Sequence, residues 1–158
     1  MKEETYRRLA EHLDRLPGGF APSETGADLR LLQRLFTPEE AELATHLTVE
    51  REEAEVIARK AGLPLEEAER RLNEMSEKGL IFSVRQEGGT ALYQAAPFVI
   101  GIYEFQVNRL SEDFLQDLND YWSTTVSRPE PETIPQMRTI PVGQSIESPL
   151  EALPYEQV

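Results

Sequence analysis

Apolar residues recur at helical spacing along most of the first 96 positions, and the breaks in that spacing mark out the elements. Tyr6, Leu9, Leu13 and Leu16 form one stripe, which predicts a helix ending at Pro17-Gly18-Gly19. A second helix, entered through Ser23, is predicted around Leu29, Leu32, Leu35 and Phe36. At Thr37-Pro38-Glu39-Glu40 the threonine can cap, the proline suits the first helical position, and Glu40 sits where a carboxylate reaches back to the cap. A third helix therefore starts there.

From Arg51 onward Ala54, Ile57, Ala58 and Ala61 share the narrow face of a short helix that Gly62 closes. Pro64 then opens another, with Leu65, Ala68, Leu72 and Met75 on its inner side and Gly79 as its terminator. Two short helices joined by a tight turn make a helix-turn-helix pattern. Two strand-like runs follow, Leu80 to Gln86 and Ala91 to Ala95, flanking Glu87-Gly88-Gly89-Thr90, whose glycines suit a hairpin turn. The expected fold is mainly α with a small β-hairpin wing (α+β): a winged helix-turn-helix with flanking helices and an extended C-terminal arm. Its divisions are an N-terminal helix and loop (1–24), a winged-helix domain (25–96), packing or dimerisation helices (97–126) and a proline-rich arm (127–158).

The run beginning at Pro97 is read as one helix whose large apolar residues, Phe98, Val99, Ile100, Ile102, Tyr103, Phe105, Val107 and Leu110, occupy more than one face. Each large side chain left in water forgoes about 1.5–3 kcal/mol, so cover is expected from neighbouring elements or a second subunit. Ser111 is expected to cap a last helix with Phe114, Leu115, Leu118, Tyr121 and Trp122 turned inward. Beyond it, Pro129, Pro131, Pro135, Pro141, Pro149 and Pro154 rule out a long helix, while spaced residues from Ile134 to Leu153 suggest an arm that packs along a surface.

The chain has no cysteine, so disulfides, thiolate metal sites and cysteine nucleophiles are excluded within it. It has no stretch apolar enough for a membrane span and no apolar leader at its start, and a cytoplasmic location is expected. Lys+Arg 16 against Asp+Glu 29 gives a net charge of -13, which repels phosphate backbones and anionic lipid. Nucleic acid is an unfavourable partner, and neither half of the chain is basic.

No motif supports catalysis. His12 and His46 have no second histidine one helical turn away, so no metal site is expected from them. The pairs Glu39-Glu40 and Glu66-Glu67 fall at helix starts, where they complement the helix dipole. Neither glycine pair belongs to a phosphate-binding loop, and Ser23, Ser76 and Ser83 lack the setting of an activated nucleophile. The would-be recognition helix, residues 65–79, carries 5 acidic and 3 basic side chains. Arg70, Arg71, Lys78 and Arg85 are the residues that would contact nucleic acid if the chain were a reader of DNA.

Several segments together resemble the N-terminal region of bacterial and archaeal 4Fe-4S ferredoxin-type proteins. They are LPGGF (16–20), ADLRLLQRLFTPEEAELATHL (27–47), PFVIGIYEFQ (97–106), RTIPV (138–142) and LPYEQV (153–158). The resemblance implies a winged-helix region and an arm that precede cysteine-rich cluster motifs. It thus implies electron transfer by a portion beyond Val158 and no cofactor in the present residues, since a chain without cysteine holds no such cluster by thiolates. The expected function is a non-catalytic interaction and dimerisation module, with its own ferredoxin domain, another protein or a second copy as partner. The alternative is a MarR-like or ArsR-like transcriptional regulator.

Overall fold

A computed structural model describes residues 2–85 and 89–125 of the chain. In order, the elements are α1 (Lys2–Asp14), α2 (Ala27–Leu35), α3 (Pro38–Ala44), β1 (Glu52–Glu53), α4 (Ala54–Ala61), α5 (Leu65–Glu77), β2 (Ile81–Arg85), β3 (Ala91–Ala95), α6 (Tyr103–Gln106) and α7 (Glu112–Thr125). The protein is α+β: helices dominate, and a three-stranded antiparallel sheet has the order β1-β3-β2. Ile81 pairs with Ala95 and Arg85 with Ala91, while Glu52 and Glu53 pair with Tyr93 and Leu92 on the other side of β3.

The predicted caps form locally. Thr37 Oγ1 accepts from the Glu40 N–H at 3.2 Å, and Glu40 Oε2 accepts from the Thr37 N–H at 2.8 Å. Such a reciprocal cap satisfies two helix-end donors that would otherwise lack partners. Helices α4 and α5 both end on left-handed glycines, Gly62 (φ 66) and Gly79 (φ 74). The next residue then folds back on the helix: Leu63 N–H donates to Ala58 O and Leu80 N–H to Met75 O, each at 2.9 Å. Helix α2 begins after Gly26 and not at Ser23. Ser23 Oγ instead accepts from the Thr25 N–H and bonds the hydroxyls of Thr25 and Thr124.

One hydrophobic cluster draws on α1, α2, α3, α4, α5, the sheet and α7. Its aromatic centre is Phe20, Phe98 and Tyr121, with ring centroids 4.7 to 5.9 Å apart. The tyrosine hydroxyl of Tyr6, buried at the edge of the same cluster, donates to Phe36 O at 2.8 Å. The inner face of α2 is Ala27, Asp28, Leu31 and Leu32, rotated from the expected stripe: Leu32 is buried as expected, but Leu29 and Leu35 are only partly buried.

The single helix expected from Pro97 does not form. Val99, Ile100 and Gly101 have non-helical backbone angles, and regular helix begins only at α6, which passes into a short 3-10 turn at Val107–Arg109. A straight helix here would need cover on every side to bury all its large apolar residues. The irregular turn sends Phe98 and Ile102 fully into the core and leaves Ile100 outside. β-Branched Val99 and Ile100 also give helix little local support. The cover expected for all the large apolar residues here is therefore incomplete among the described residues: Ile100, Phe105 and Val107 are exposed.

Leu65 and Leu115, expected to face inward, are likewise exposed. Leu65 lies on the first turn of α5, ahead of the inner row of Ala68, Leu72 and Met75. On α7 the buried row is Phe114, Asp117, Leu118 and Tyr121, which puts Leu115 outside it. Ser111 does cap α7, its Oγ accepting from the Phe114 N–H at 3.2 Å. The hairpin turn at 86–88 and the arm at 127–158, with the surface packing expected of it, lie outside the described residues.

Candidate functional site

Three of the four candidate nucleic-acid contacts lie along α5 and at its C-terminal cap, and the fourth, Arg85, lies at the turn end of β2. Arg70 bridges Glu67 and Glu74 on its own helix, at 2.9 and 2.7 Å. Arg71 Nε donates to the same Glu67 at 2.6 Å. Hydrogen bonds from Arg70 and then Arg71 hold the Glu67 carboxyl below its ordinary range, and Glu67 with Glu74 raises Arg70 in turn. Lys78, at the far end of the helix, donates to Glu40 Oε1 at 2.5 Å. Arg85 is exposed on the last residue of β2. The structure thus puts Arg70 and Arg71 on α5 and Lys78 at its C-terminal cap but fastens each to a carboxylate, while Glu66 and Glu69 stand exposed ahead of them.

The Lys78 contact does more than neutralise charge. Glu40 is buried, and its carboxylate serves both its own helix cap and Lys78, so α3 and the end of α5 are tied at one point. Gln106 Nε2 donates to Lys78 O at 2.9 Å, and Arg109 donates to Glu77 O at 3.3 Å. Carbonyls at a helix end lack intrahelical partners, and these two side chains supply them. At the same place Gly79 packs so tightly under Phe105 that an added Cβ would lie 2.3 Å from the Phe105 Cβ.

A second ionic cluster joins α2 to α7. Asp117 is buried and accepts from Arg30 Nε at 2.7 Å and Arg34 Nε at 2.5 Å. Arg30 also reaches Asp120 at 2.5 Å, and Arg34 reaches Asp113 at 3.4 Å. Burial pushes the Asp117 carboxyl up, but the two arginine hydrogen bonds outweigh it and hold the group below the usual carboxylate range. The sequence reading did not find this cluster. The i, i+4 spacing of Arg30 and Arg34 put both on one face, but nothing in the sequence pairs that face with α7.

Two buried polar atoms have no hydrogen-bond partner among the described residues: His12 Nε2 and Asp28 Oδ1. His12 as a whole is half-buried, but its Nε2 is enclosed. Burial lowers its pKa, a bond to the Leu47 backbone pulls the other way, and Arg15 and His46 add repulsion. Tyr121 is raised by burial, with Asp28 and Asp14 contributing.

Among the described residues no group of three or more His, Asp or Glu side chains is placed to hold a metal ion. No described helix is long and apolar enough to cross a membrane. Among the described residues, one surface cavity of about 220 Å³ lies between α3 and the α4–α5 turn, and another of about 410 Å³ lies where α2, the 3-10 turn and the start of α7 meet. No family model, curated protein or solved structure matches the chain.

Proposed function

We propose that the chain is a non-catalytic winged-helix module that works through protein contact and precedes a 4Fe-4S ferredoxin-type domain, its partner, in a longer polypeptide. The order α3-β1-α4-α5-β2-β3, with the sheet order β1-β3-β2, supports the winged-helix part of this reading. Helices α4 and α5 then correspond to the helix-turn-helix and β2-β3 to the wing.

The observation that carries the choice of protein over DNA is the ion pairing of α5. A phosphate approaching Arg70, Arg71 or Lys78 meets Glu67, Glu74 or Glu40 already paired with it at 2.5 to 2.9 Å. Each exposed pair is worth only about 0.2–1 kcal/mol, but the carboxylates stay on the same face and repel the incoming phosphate. In the other direction, Ile100 and Phe105 leave apolar surface in water at 73% and 52% exposure, which contact with a partner domain would cover.

Fluorescence anisotropy with a labelled random duplex at low salt tests the choice. No saturable binding is expected. Tight binding that weakens steeply with added salt would favour a MarR-like or ArsR-like regulator instead. The reading frame beyond Val158 tests the ferredoxin partner directly: cysteines at cluster-binding spacing are expected, and their absence would remove that partner.

A further inference from the structure

We propose that the cavity between α2, the 3-10 turn at Val107–Arg109 and the start of α7 binds a small carboxylate. The cavity, about 410 Å³, is lined by Arg34, Leu35, Gln106, Arg109, Ser111 and Phe114. This volume suits a small organic molecule.

The polar groups around it are mostly donors. Arg109 forms no ion pair among the described residues; its guanidinium makes only long bonds, 3.3 and 3.4 Å, to the Glu77 carbonyl. An arginine beside a cavity with no described carboxylate paired to it is a local opening for an anion, even on a chain of negative net charge. Arg34 contributes a second guanidinium, with Nε on Asp117 and Nη1 at 3.4 Å from the exposed Asp113, so donors are left over. Ser111 Oγ accepts from the Phe114 N–H, and no described acceptor takes its hydroxyl proton. Gln106 is buried and fixed by its bonds to Lys78 O and Ile102 O, which makes that wall rigid.

The charge balance selects the ligand class. Asp113 and Asp117 already offset Arg34, so a doubly charged phosphate would meet more repulsion than a carboxylate carrying a single charge. Leu35 and Phe114 complete the lining, Phe114 being itself almost wholly buried. Carboxylate and guanidinium also match in geometry, since two parallel N–H donors can engage both oxygens.

Sodium benzoate serves as the probe, titrated into the full chain at low salt and followed by backbone amide shifts. Saturable shifts confined to residues 34–35 and 106–114 are expected. Arg109→Gln should weaken binding by about tenfold or more. Arg109→Lys, which keeps the charge, should recover part of that loss. All three proteins should melt at nearly the same temperature, because the bonds removed from Glu77 O are long and exposed. Absence of saturation, tighter binding of benzylamine or inorganic phosphate than of benzoate, or an unaltered affinity in Arg109→Gln would each overturn the assignment. The outcome leaves the protein-contact function untouched, since neither Ile100 nor Phe105 lines the cavity.

Discussion

Gly62 and Gly79 occupy equivalent places at the ends of α4 and α5, yet their replacement by alanine should have very different costs. Both have left-handed backbones, φ 66 and φ 74, where an L side chain costs about 1–2 kcal/mol. Alanine recovers about 0.4–1 kcal/mol of this by restricting the unfolded chain. At Gly62 a new Cβ meets nothing within 4 Å, so the net loss should be about 1 kcal/mol or less. At Gly79 it would lie 2.3 Å from Phe105 Cβ and 2.8 Å from Cγ, against about 3.5–4.0 Å for an ordinary carbon contact. Phe105 Cβ is attached to the backbone, so no rotation of its side chain relieves the overlap. α6 would have to move away, disturbing the Gln106 bond to Lys78 O and the 5.9 Å ring contact between Phe82 and Phe105. Adding about 1–3 kcal/mol for overpacking brings the loss at Gly79 to about 2–4 kcal/mol. Urea unfolding of the two variants measures the difference. A double-mutant cycle locates its cause: Phe105→Gly should relieve Gly79→Ala, whereas Phe105→Ala, which retains the Cβ, should not. Equal losses for Gly62→Ala and Gly79→Ala, or equal rescue by the two Phe105 variants, would refute the steric explanation.

Four other outcomes follow from the packing, the ionic contacts and the enclosed histidine. Phe98→Ala, at the centre of the aromatic group with Phe20 and Tyr121, should destabilise the fold by about 3–5 kcal/mol in denaturant melts. Ile100→Ala, at an exposed position on the same turn, should stay within about 0.5 kcal/mol. Asp117→Asn should cost about 1–3 kcal/mol at neutral pH, less than a fully buried pair because Arg30 and Arg34 remain about 40% exposed. For His12 the folded-state pKa lies below its unfolded value near 6.5, so the unfolded chain takes up the proton more readily. The histidine contribution should therefore diminish stability as pH falls below about 6.5 and level off below the folded pKa. Melting curves across that window should show less decline for His12→Gln than for the parent chain.

The features legible in the sequence were those determined within a few residues. Thr37 and Glu40 cap α3 through neighbours three positions apart, and Gly62 and Gly79 end their helices because a left-handed residue is needed there. The hairpin strands were visible from composition and from the turn residues between them. β1 was not. Glu52 and Glu53 have no strand-forming character of their own and are held extended by Tyr93 and Leu92, some forty positions away. The break at Val99–Gly101 was missed for a related reason: the run is apolar on every side, so periodicity cannot say which residues the core will accept. The Asp117 cluster and the Glu40–Lys78 bridge depend on how distant helices meet, and charged residues at i, i+3 and i+4 look the same whether they face water or another helix. Among the candidate contacts, Arg70, Arg71, Lys78 and Arg85 could be named from sequence, but the carboxylates that fasten three of them could only be suspected from the acidic count.

The shortness of β1 also bears on the behaviour of the protein at high concentration. It forms one margin of the sheet, and only two residues long, both glutamates, it offers a neighbouring molecule little backbone on which to add a strand. A second chain aligned there would set its own β1 against Glu53, like charge against like, while Lys60 neutralises only Glu52. Lateral growth of β-structure from this side is thus discouraged by the same short acidic segment that completes the sheet.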